Sequence, residues 1–135
     1  YFNKAGKKSN GSGYYLHIEP GKSFAAGGIW MPEPQVLANI RQELDYNFKN
    51  FKKIIGNSRF KKTFAGGVQS EESLMRPPKG YDEHNPAIEF LKMKSFIVSH
   101  PFTDAQVLSN NFVKDITATF TVMKPLIDYL NTAID

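Results

Sequence analysis

Three polar side chains occupy alternate positions near the start of the chain, at Tyr15, His17 and Glu19. The segment from Gly13 to Trp30 predicts two β-strands on either side of a Pro-Gly turn, and alternate residues of a strand point to the same face. His17 and Glu19 are then roughly 7 Å apart at Cα. That spacing suits joint contact with a ligand, or a carboxylate that sets the protonation of the imidazole. The competing interpretation is an exposed sheet face that carries ordinary polar residues.

A second group of candidate residues lies in the loop PPKGYD, residues 77–82, which presents Lys79 and Tyr81. Such a loop can hold an anion where basic groups converge, and Arg76 and Lys92 are close in sequence. The alternative is a plain connection in which Tyr81 fills the edge of the core. The predicted ligand-binding residues are Tyr15, His17, Glu19, Lys79 and Tyr81.

The sequence contains none of the strong catalytic signatures, such as a phosphate-binding loop, a dinucleotide fingerprint, HExxH or GxSxG. No nucleophile or acid–base pair stands out, so the residues leave open whether the protein is an enzyme. The three histidines, His17, His84 and His100, are far apart without ligand-like spacing, and we predict neither a metal site nor a cofactor. We predict that His84 helps to cap a helix and that backbone contacts hold His100.

Length and composition predict one globular domain over residues 1–135, with 41% hydrophobic and 13% aromatic residues. No apolar run approaches the roughly 18 residues that cross a bilayer, so we predict no membrane span. The chain has no cysteine, which agrees with a reducing compartment, and we predict a cytoplasmic location.

The net charge of +4 is unevenly distributed, because no acidic residue lies between Asp45 and Glu71. Six basic residues fall in that interval: Lys49, Lys52, Lys53, Arg59, Lys61 and Lys62. Such a patch attracts nucleic acid, an acidic partner or a phosphorylated small molecule. The alternative is a solvated helix face. No recognised nucleic-acid motif accompanies the charge, so nucleic acid is the least favoured partner.

Alternation and turn residues predict the strands that position these groups. Residues 1–4 are predicted to end a strand, and residues 5–13 to form a long turn. In the following strand we expect Leu16 and Ile18 to face the helices and His17 to face away. The run AAGG, residues 25–28, invites close approach by a helix, another backbone or a ligand.

Apolar spacing of three and four predicts a long amphipathic helix from Pro34 to Gly56 with a break near Asn47, and another from near Asn110 to Ile134. Pro125 should kink the latter. A short helix should begin at residue 86, TDAQ at 103–106 matches a capping box, and KSFIVSH at 94–100 is typical of a strand. We predict an α+β fold, a small antiparallel sheet with two long amphipathic helices packed on one face.

Several segments together resemble a known family. They are GYYLHIEPG (13–21), FAAGGIWMPEP (24–34), LANIRQELDYN (37–47) and PPKGYDEHNPAIEFLKMKSFIVSHP (77–101). They resemble the uncharacterised bacterial family called domain of unknown function 2461, over essentially all of the chain. The resemblance implies a cytoplasmic α+β protein with no known activity, substrate or cofactor. It also implies that this chain is the C-terminal part of a longer family protein, whose arginine-rich segment lies upstream.

Two functions from different classes follow as hypotheses. In the first, the protein binds or modifies an anionic small molecule at the open sheet face, with the upstream arginines completing the site. In the second, the domain is an interaction module whose basic helix face and loop bind an acidic partner or nucleic acid.

Overall fold

A computed structural model describes residues 2–3 and 12–134 of the chain. The described strands form one antiparallel sheet, in which each strand pairs with the next one along the chain. They are β1 (Phe2–Asn3), β2 (Gly13–His17), β3 (Ser23–Ile29) and β4 (Phe96–Phe102). The strand end predicted at residues 1–4 agrees with β1 in Phe2–Asn3, and most of the turn predicted at 5–13 lies outside the described residues.

Six helices are described, and the long ones lie on one face of the sheet. They are α1 (Pro34–Tyr46), α2 (Phe48–Gly56), α3 (Ser58–Thr63), α4 (Ile88–Leu91), α5 (Asp104–Leu108) and α6 (Phe112–Ile134). α6 packs on β3, and α1 and α2 pack on α6. The predicted break falls at Asn47, where the hydroxyl of Tyr129 donates to the carbonyl oxygens of Glu43 (3.1 Å) and Asn47 (3.2 Å). The predicted α+β class, a small antiparallel sheet with the long helices on one face, is confirmed, and the first long helix is divided into α1 and α2.

The two faces of β2 differ in what they contact. The ring of Tyr14 packs on Phe120 of α6 with centroids 5.0 Å apart, so Tyr14 faces the helices. Strand alternation therefore places Tyr15 and His17 on the opposite, open face, which confirms the predicted direction of the imidazole. The prediction for Ile18 was wrong: Ile18 follows the end of β2 and is 58% exposed. The chain turns away there, since Lys22 N–H donates to Glu19 O at 2.9 Å.

The run of small residues in β3 allows two close approaches. A Cβ on Gly27 would lie 2.1 Å from Sδ of Met123 in α6. Gly28 has a φ of +121°, and a Cβ there would lie 1.8 Å from the carbonyl oxygen of Phe96 in β4. The predicted close approach of a helix and of another backbone is confirmed, and only glycine fits at these two positions.

The helix ends agree with the sequence in part. Thr103 and Gln106 form the predicted capping box. The short α4 begins at Ile88, later than predicted, because the side chain of Asn85 accepts from Ala87 N–H at 2.8 Å and forms a turn first. His84 does not cap that helix as predicted; it is exposed, its backbone N–H donates to Asp82, and its ring lies 3.6 Å from the Glu83 carboxylate.

Helix α6 continues through Pro125 as one element of 23 residues. Proline has no backbone N–H, so the carbonyl of Thr121 lacks its usual donor within the helix. In the part of the chain that the structure describes, no helix is both long enough and apolar enough to cross a membrane.

Candidate functional site

A chain of hydrogen bonds joins the three polar residues of the first strand. Nε2 of His17 lies 2.8 Å from Oε1 of Glu19, and Nδ1 of His17 lies 3.3 Å from the hydroxyl of Tyr15. A carboxylate only accepts hydrogen bonds, so Nε2–H of His17 donates to Glu19. In the neutral imidazole Nδ1 then accepts from the hydroxyl of Tyr15. The structure therefore brings Tyr15, His17 and Glu19 together as the sequence predicted.

The β2–β3 pair and its turn position this chain. His17 pairs with Phe24 across the strands, and their rings stack with centroids 5.1 Å apart. Beyond the strand, the backbone N–H of Glu19 donates to Oγ of Ser23 at 3.0 Å, and that hydroxyl donates to the carbonyl oxygen of Glu19 at 3.0 Å. Gly21, with a φ of +75°, completes the turn. These contacts fix the backbone from which the Glu19 carboxylate reaches the imidazole.

A cavity of about 530 Å³ lies beside this chain on the open face of the sheet. Ala26, Gly28 and Ile97 contribute small or apolar surface from the sheet itself. Tyr15 and Phe24 contribute aromatic surface, and Trp30 lies where β3 ends. His17 and Glu19 do not line this cavity, so they reach it only through Tyr15.

The far side of the cavity is formed by a segment that runs beside β4. Gln69 bridges to Ile97 with hydrogen bonds of 2.7 Å and 3.0 Å between their backbones. Oγ of Ser70 accepts from the backbone N–H groups of Lys94 (3.2 Å) and Ser95 (3.0 Å). Gln69, Ser70 and the adjoining Glu71 thus extend the sheet edge and close the cavity on that side.

The cavity carries little charge. Glu71 is the one charged side chain among the described residues that line it. Lysine and arginine are absent from the described lining, so those residues supply no cation for the predicted anion.

Lys79 and Tyr81 lie elsewhere. Tyr81 packs against the core on the helical side of the sheet. Burial raises the pKa of Tyr81, and the Asp45 carboxylate raises it further while Arg41 opposes the shift. Lys79 is exposed in the same loop. The structure does not bring these two residues to Tyr15, His17 and Glu19, and it supports the alternative in which Tyr81 fills the core edge.

His100 is held as predicted: its Nδ1 lies 2.8 Å from the carbonyl oxygen of Thr63.

A second cavity, of about 550 Å³, lies between α2–α3 and α6. Lys53 and Arg59 line it together with Asp128, Pro125 and the buried Tyr129. Burial raises the pKa of Tyr129 well above the ordinary range, and the Glu43 carboxylate adds to the shift. Sequence reasoning missed this cavity, although Pro125 was noted within the helix that forms one wall.

The basic residues of the interval 46–70 all lie at the surface. They are Lys49, Lys52, Lys53, Arg59, Lys61 and Lys62. No carboxylate pairs with any of them within the part of the chain that the structure describes. Over that same part, acidic and histidine side chains form no group of three or more suited to a metal ion.

Sequence reasoning did not select Trp30, Ser95, Gln69 or Glu71. Trp30 continues the alternation of Phe24, Ala26 and Gly28, so the pattern of β3 contained a signal for it. The pairing of segment 69–71 with β4 carries no local signal, because it joins two parts of the chain that are distant in sequence.

An antiparallel sheet with helices on one face and a cavity on the other places the protein in the α+β class. The chain belongs to the family described as conserved hypothetical protein DUF2461, which matches residues 1–129. That match confirms the resemblance drawn from the sequence. The comparisons with curated proteins and with solved structures found no match to the chain. The family description assigns no function.

Proposed function

We propose that the protein binds a small molecule in the cavity on the open face of its sheet. The observation that carries the proposal is the cavity of about 530 Å³ beside the hydrogen-bonded chain of Tyr15, His17 and Glu19. Ligand sites typically measure about 300–1,000 Å³ and combine apolar or aromatic walls with few polar groups. The cavity matches that description, because Tyr15, Phe24 and Trp30 supply aromatic walls and Glu71 supplies a polar group.

The lining also bears on the charge of the ligand. The sequence predicted an anion, and the described lining contains a carboxylate and no cation. A carboxylate in a partly apolar cavity favours a ligand that donates hydrogen bonds or carries positive charge. We therefore propose a neutral or cationic ligand for the described part of the site. An anion would need basic residues outside the described part.

The hydrogen-bonded chain gives the site an acid–base capability. Neutral His17 can take the proton of the Tyr15 hydroxyl at Nδ1, and the Glu19 carboxylate then stabilises the imidazolium. Phe24 covers one face of the imidazole, which limits its contact with water. We propose binding as the function, with proton transfer through Tyr15 as the chemistry that this chain supports.

The test is a thermal-shift screen of small molecules against the full chain and two variants. In Ala26→Leu the larger side chain fills part of the cavity. Ser99→Leu is the control, because Ser99 pairs with Ala26 across the strands but does not line the cavity, and the substitution adds a similar volume. We expect one class of compounds to raise the melting temperature of the natural chain and of Ser99→Leu, and not of Ala26→Leu. Equal shifts in all three proteins, or no shift with any class, would overturn the proposal.

A second candidate function rests on the basic surface of α2 and α3. Its six cations lack carboxylate partners among the described residues, and Lys53 and Arg59 line the second cavity. An acidic partner would bind there through contacts that weaken with salt. Replacing Lys52, Lys53, Lys61 and Lys62 with Gln should abolish such binding and leave the open-face site intact. Binding that persists at high ionic strength would contradict this candidate.

We further propose a single cytoplasmic domain of bacterial origin, which the absence of cysteine and the resemblance support.

A further inference from the structure

The most exposed aromatic side chain beside the open-face cavity is Trp30. Its side chain is 66% exposed although it follows the buried Ile29 at the end of β3. Trp30 is also the single tryptophan of the chain. An exposed indole at the wall of a cavity offers a large flat apolar surface, and such surfaces commonly mark binding sites.

The backbone next to Trp30 is held in an unfavourable conformation. Met31 has a φ of +42°, and among the described residues it is the one non-glycine residue with positive φ. Its N–H donates to Oγ of Ser95 at 2.7 Å, and Ser95 is itself buried and hydrogen-bonded to Ser70. Strain of this kind persists where the surroundings impose it, and it clusters at ligand sites. Here it fixes the backbone that places the indole at the cavity wall.

The cavity surfaces suit a flat ring. Ala26 and Gly28 leave the sheet almost bare of side chain, and Tyr15 and Phe24 flank it with ring centroids 5.8 Å apart. Planar heterocycles stack on aromatic side chains, whereas an aliphatic ligand gains no such stacking.

The polar groups on the opposite wall suit a hydrogen-bond donor. The hydroxyls of Ser70 and Ser95 are engaged with backbone groups. The carboxylate of Glu71 is exposed and has no hydrogen-bond or ion-pair partner within residues 12–134. A carboxylate with two oxygens accepts well from two adjacent N–H groups of a planar ring.

We infer that the cavity binds a planar nitrogen heterocycle with adjacent N–H donors, of which guanine is an example. Its ring stacks on Trp30, and its N–H groups donate to the carboxylate of Glu71. This inference rests on the proposed function and names the class of ligand for the same site.

Ligand binding can be followed by the fluorescence of Trp30, because a ring that stacks on the single indole of the chain changes its emission. The probes are guanosine, adenosine, which lacks the adjacent donors, and methyl glucoside, which lacks an aromatic ring. We expect saturable quenching by guanosine, weaker binding of adenosine and no effect of methyl glucoside. Calorimetry with guanosine should show affinity about tenfold lower for Trp30→Leu and for Glu71→Gln. Tyr46→Leu, which removes an aromatic ring outside the cavity, should bind as the natural chain does.

Two outcomes would overturn the inference. Guanosine that gives no saturable quenching, or that binds to Glu71→Gln and to Trp30→Leu as tightly as to the natural chain, excludes the proposed stacking and pairing. If methyl glucoside or another non-planar compound binds and Ala26→Leu abolishes that binding, the cavity is a ligand site of a different class. In that case the proposed function survives while this inference fails.

Discussion

The backbone N–H of Met31 donates a 2.7 Å hydrogen bond to the hydroxyl oxygen of Ser95. Met31 lies just after β3, and Ser95 lies just before β4. The contact therefore joins the ends of two neighbouring strands at the border of the open-face cavity, next to Trp30. The hydrogen bond holds Met31 in its strained conformation, and it also positions Trp30 and Ser95 at the wall of the cavity.

Replacing Ser95 with Ala should lower the free energy of unfolding by about 1–3 kcal/mol, because the backbone N–H of Met31 loses its partner. Ser99→Ala is the control, since Ser99 is exposed in β4 and should change stability little. Urea denaturation measures both. Fluorescence anisotropy of Trp30 should fall in Ser95→Ala as the indole gains motion. Unchanged stability and anisotropy would show that the contact does not hold Trp30.

The hydrogen-bonded chain on β2 predicts one tautomer of His17. Nε2 should carry the hydrogen, because it faces the Glu19 carboxylate at 2.8 Å. Nitrogen-15 chemical shifts of the imidazole, recorded where the ring is neutral, should show a hydrogen on Nε2 and none on Nδ1. In Glu19→Leu the preference should weaken, while stability should change by less than about 1 kcal/mol because the pair is partly exposed. A spectrum of the natural chain with hydrogen on Nδ1 would contradict the assignment.

Gly28 should tolerate substitution far less than a glycine with open space at its Cβ position, such as Gly56. Gly28→Ala should cost about 3 kcal/mol or more, because a Cβ would lie 1.8 Å from the Phe96 carbonyl oxygen and the φ of +121° is unfavourable. Gly56→Ala is the matched control, since no atom lies within 4 Å of the new Cβ at the end of α2. That variant should be neutral or stabilised by up to about 1 kcal/mol. Chemical denaturation that ranks the two variants equally would refute the close approach of β3 and β4.

Tyr129 should make the protein less stable at alkaline pH. Burial raises the pKa of Tyr129 above its ordinary value, with Glu43 adding to the shift. The unfolded chain therefore releases this proton first, as pH rises through about 10, while the folded chain keeps it. The folded state then binds more protons, so the free energy of unfolding falls with rising pH above that value.

Tyr129→Phe should flatten this alkaline decline, because the titrating group is removed. It should also cost about 1 kcal/mol at neutral pH, since the hydroxyl no longer donates to Glu43 and Asn47. Tyr46→Phe, at an exposed position, controls for the loss of a tyrosine hydroxyl. Stability curves against pH that are parallel for the natural chain and Tyr129→Phe would contradict the role of burial.

Local patterns in the sequence predicted most of the fold. Alternation located β2 and β3, the apolar spacing located α1, α2 and α6, and Asn47 marked the break between α1 and α2. These signals are local because strand and helix periodicity depend on neighbouring residues. Ile18 departed from the pattern because the strand ended one residue earlier, and ends of elements depend on turn contacts such as that between Glu19 and Lys22.

The candidate site was predicted only where it lies on one strand. The shared face of Tyr15 and His17 follows from alternation, whereas the contact of Glu19 with His17 depends also on the turn that Ser23 holds. Glu71 could not be found, because the pairing of Gln69 with Ile97 joins distant segments. Tyr81 was predicted for the site because its loop lies close in sequence to basic residues, and its packing against the core on the helical side separates it from Tyr15.

The most direct test of a ligand site on the open face is to map where a stabilising compound from the screen binds. Amide chemical shifts of the full chain should be recorded with and without the compound. We predict the largest shifts at Ala26, Gly28 and Ile97, and none of that size at Lys53 or Arg59 in the other cavity. Shifts confined to the surface of α2 and α3 would contradict the account and favour the basic surface as the functional region.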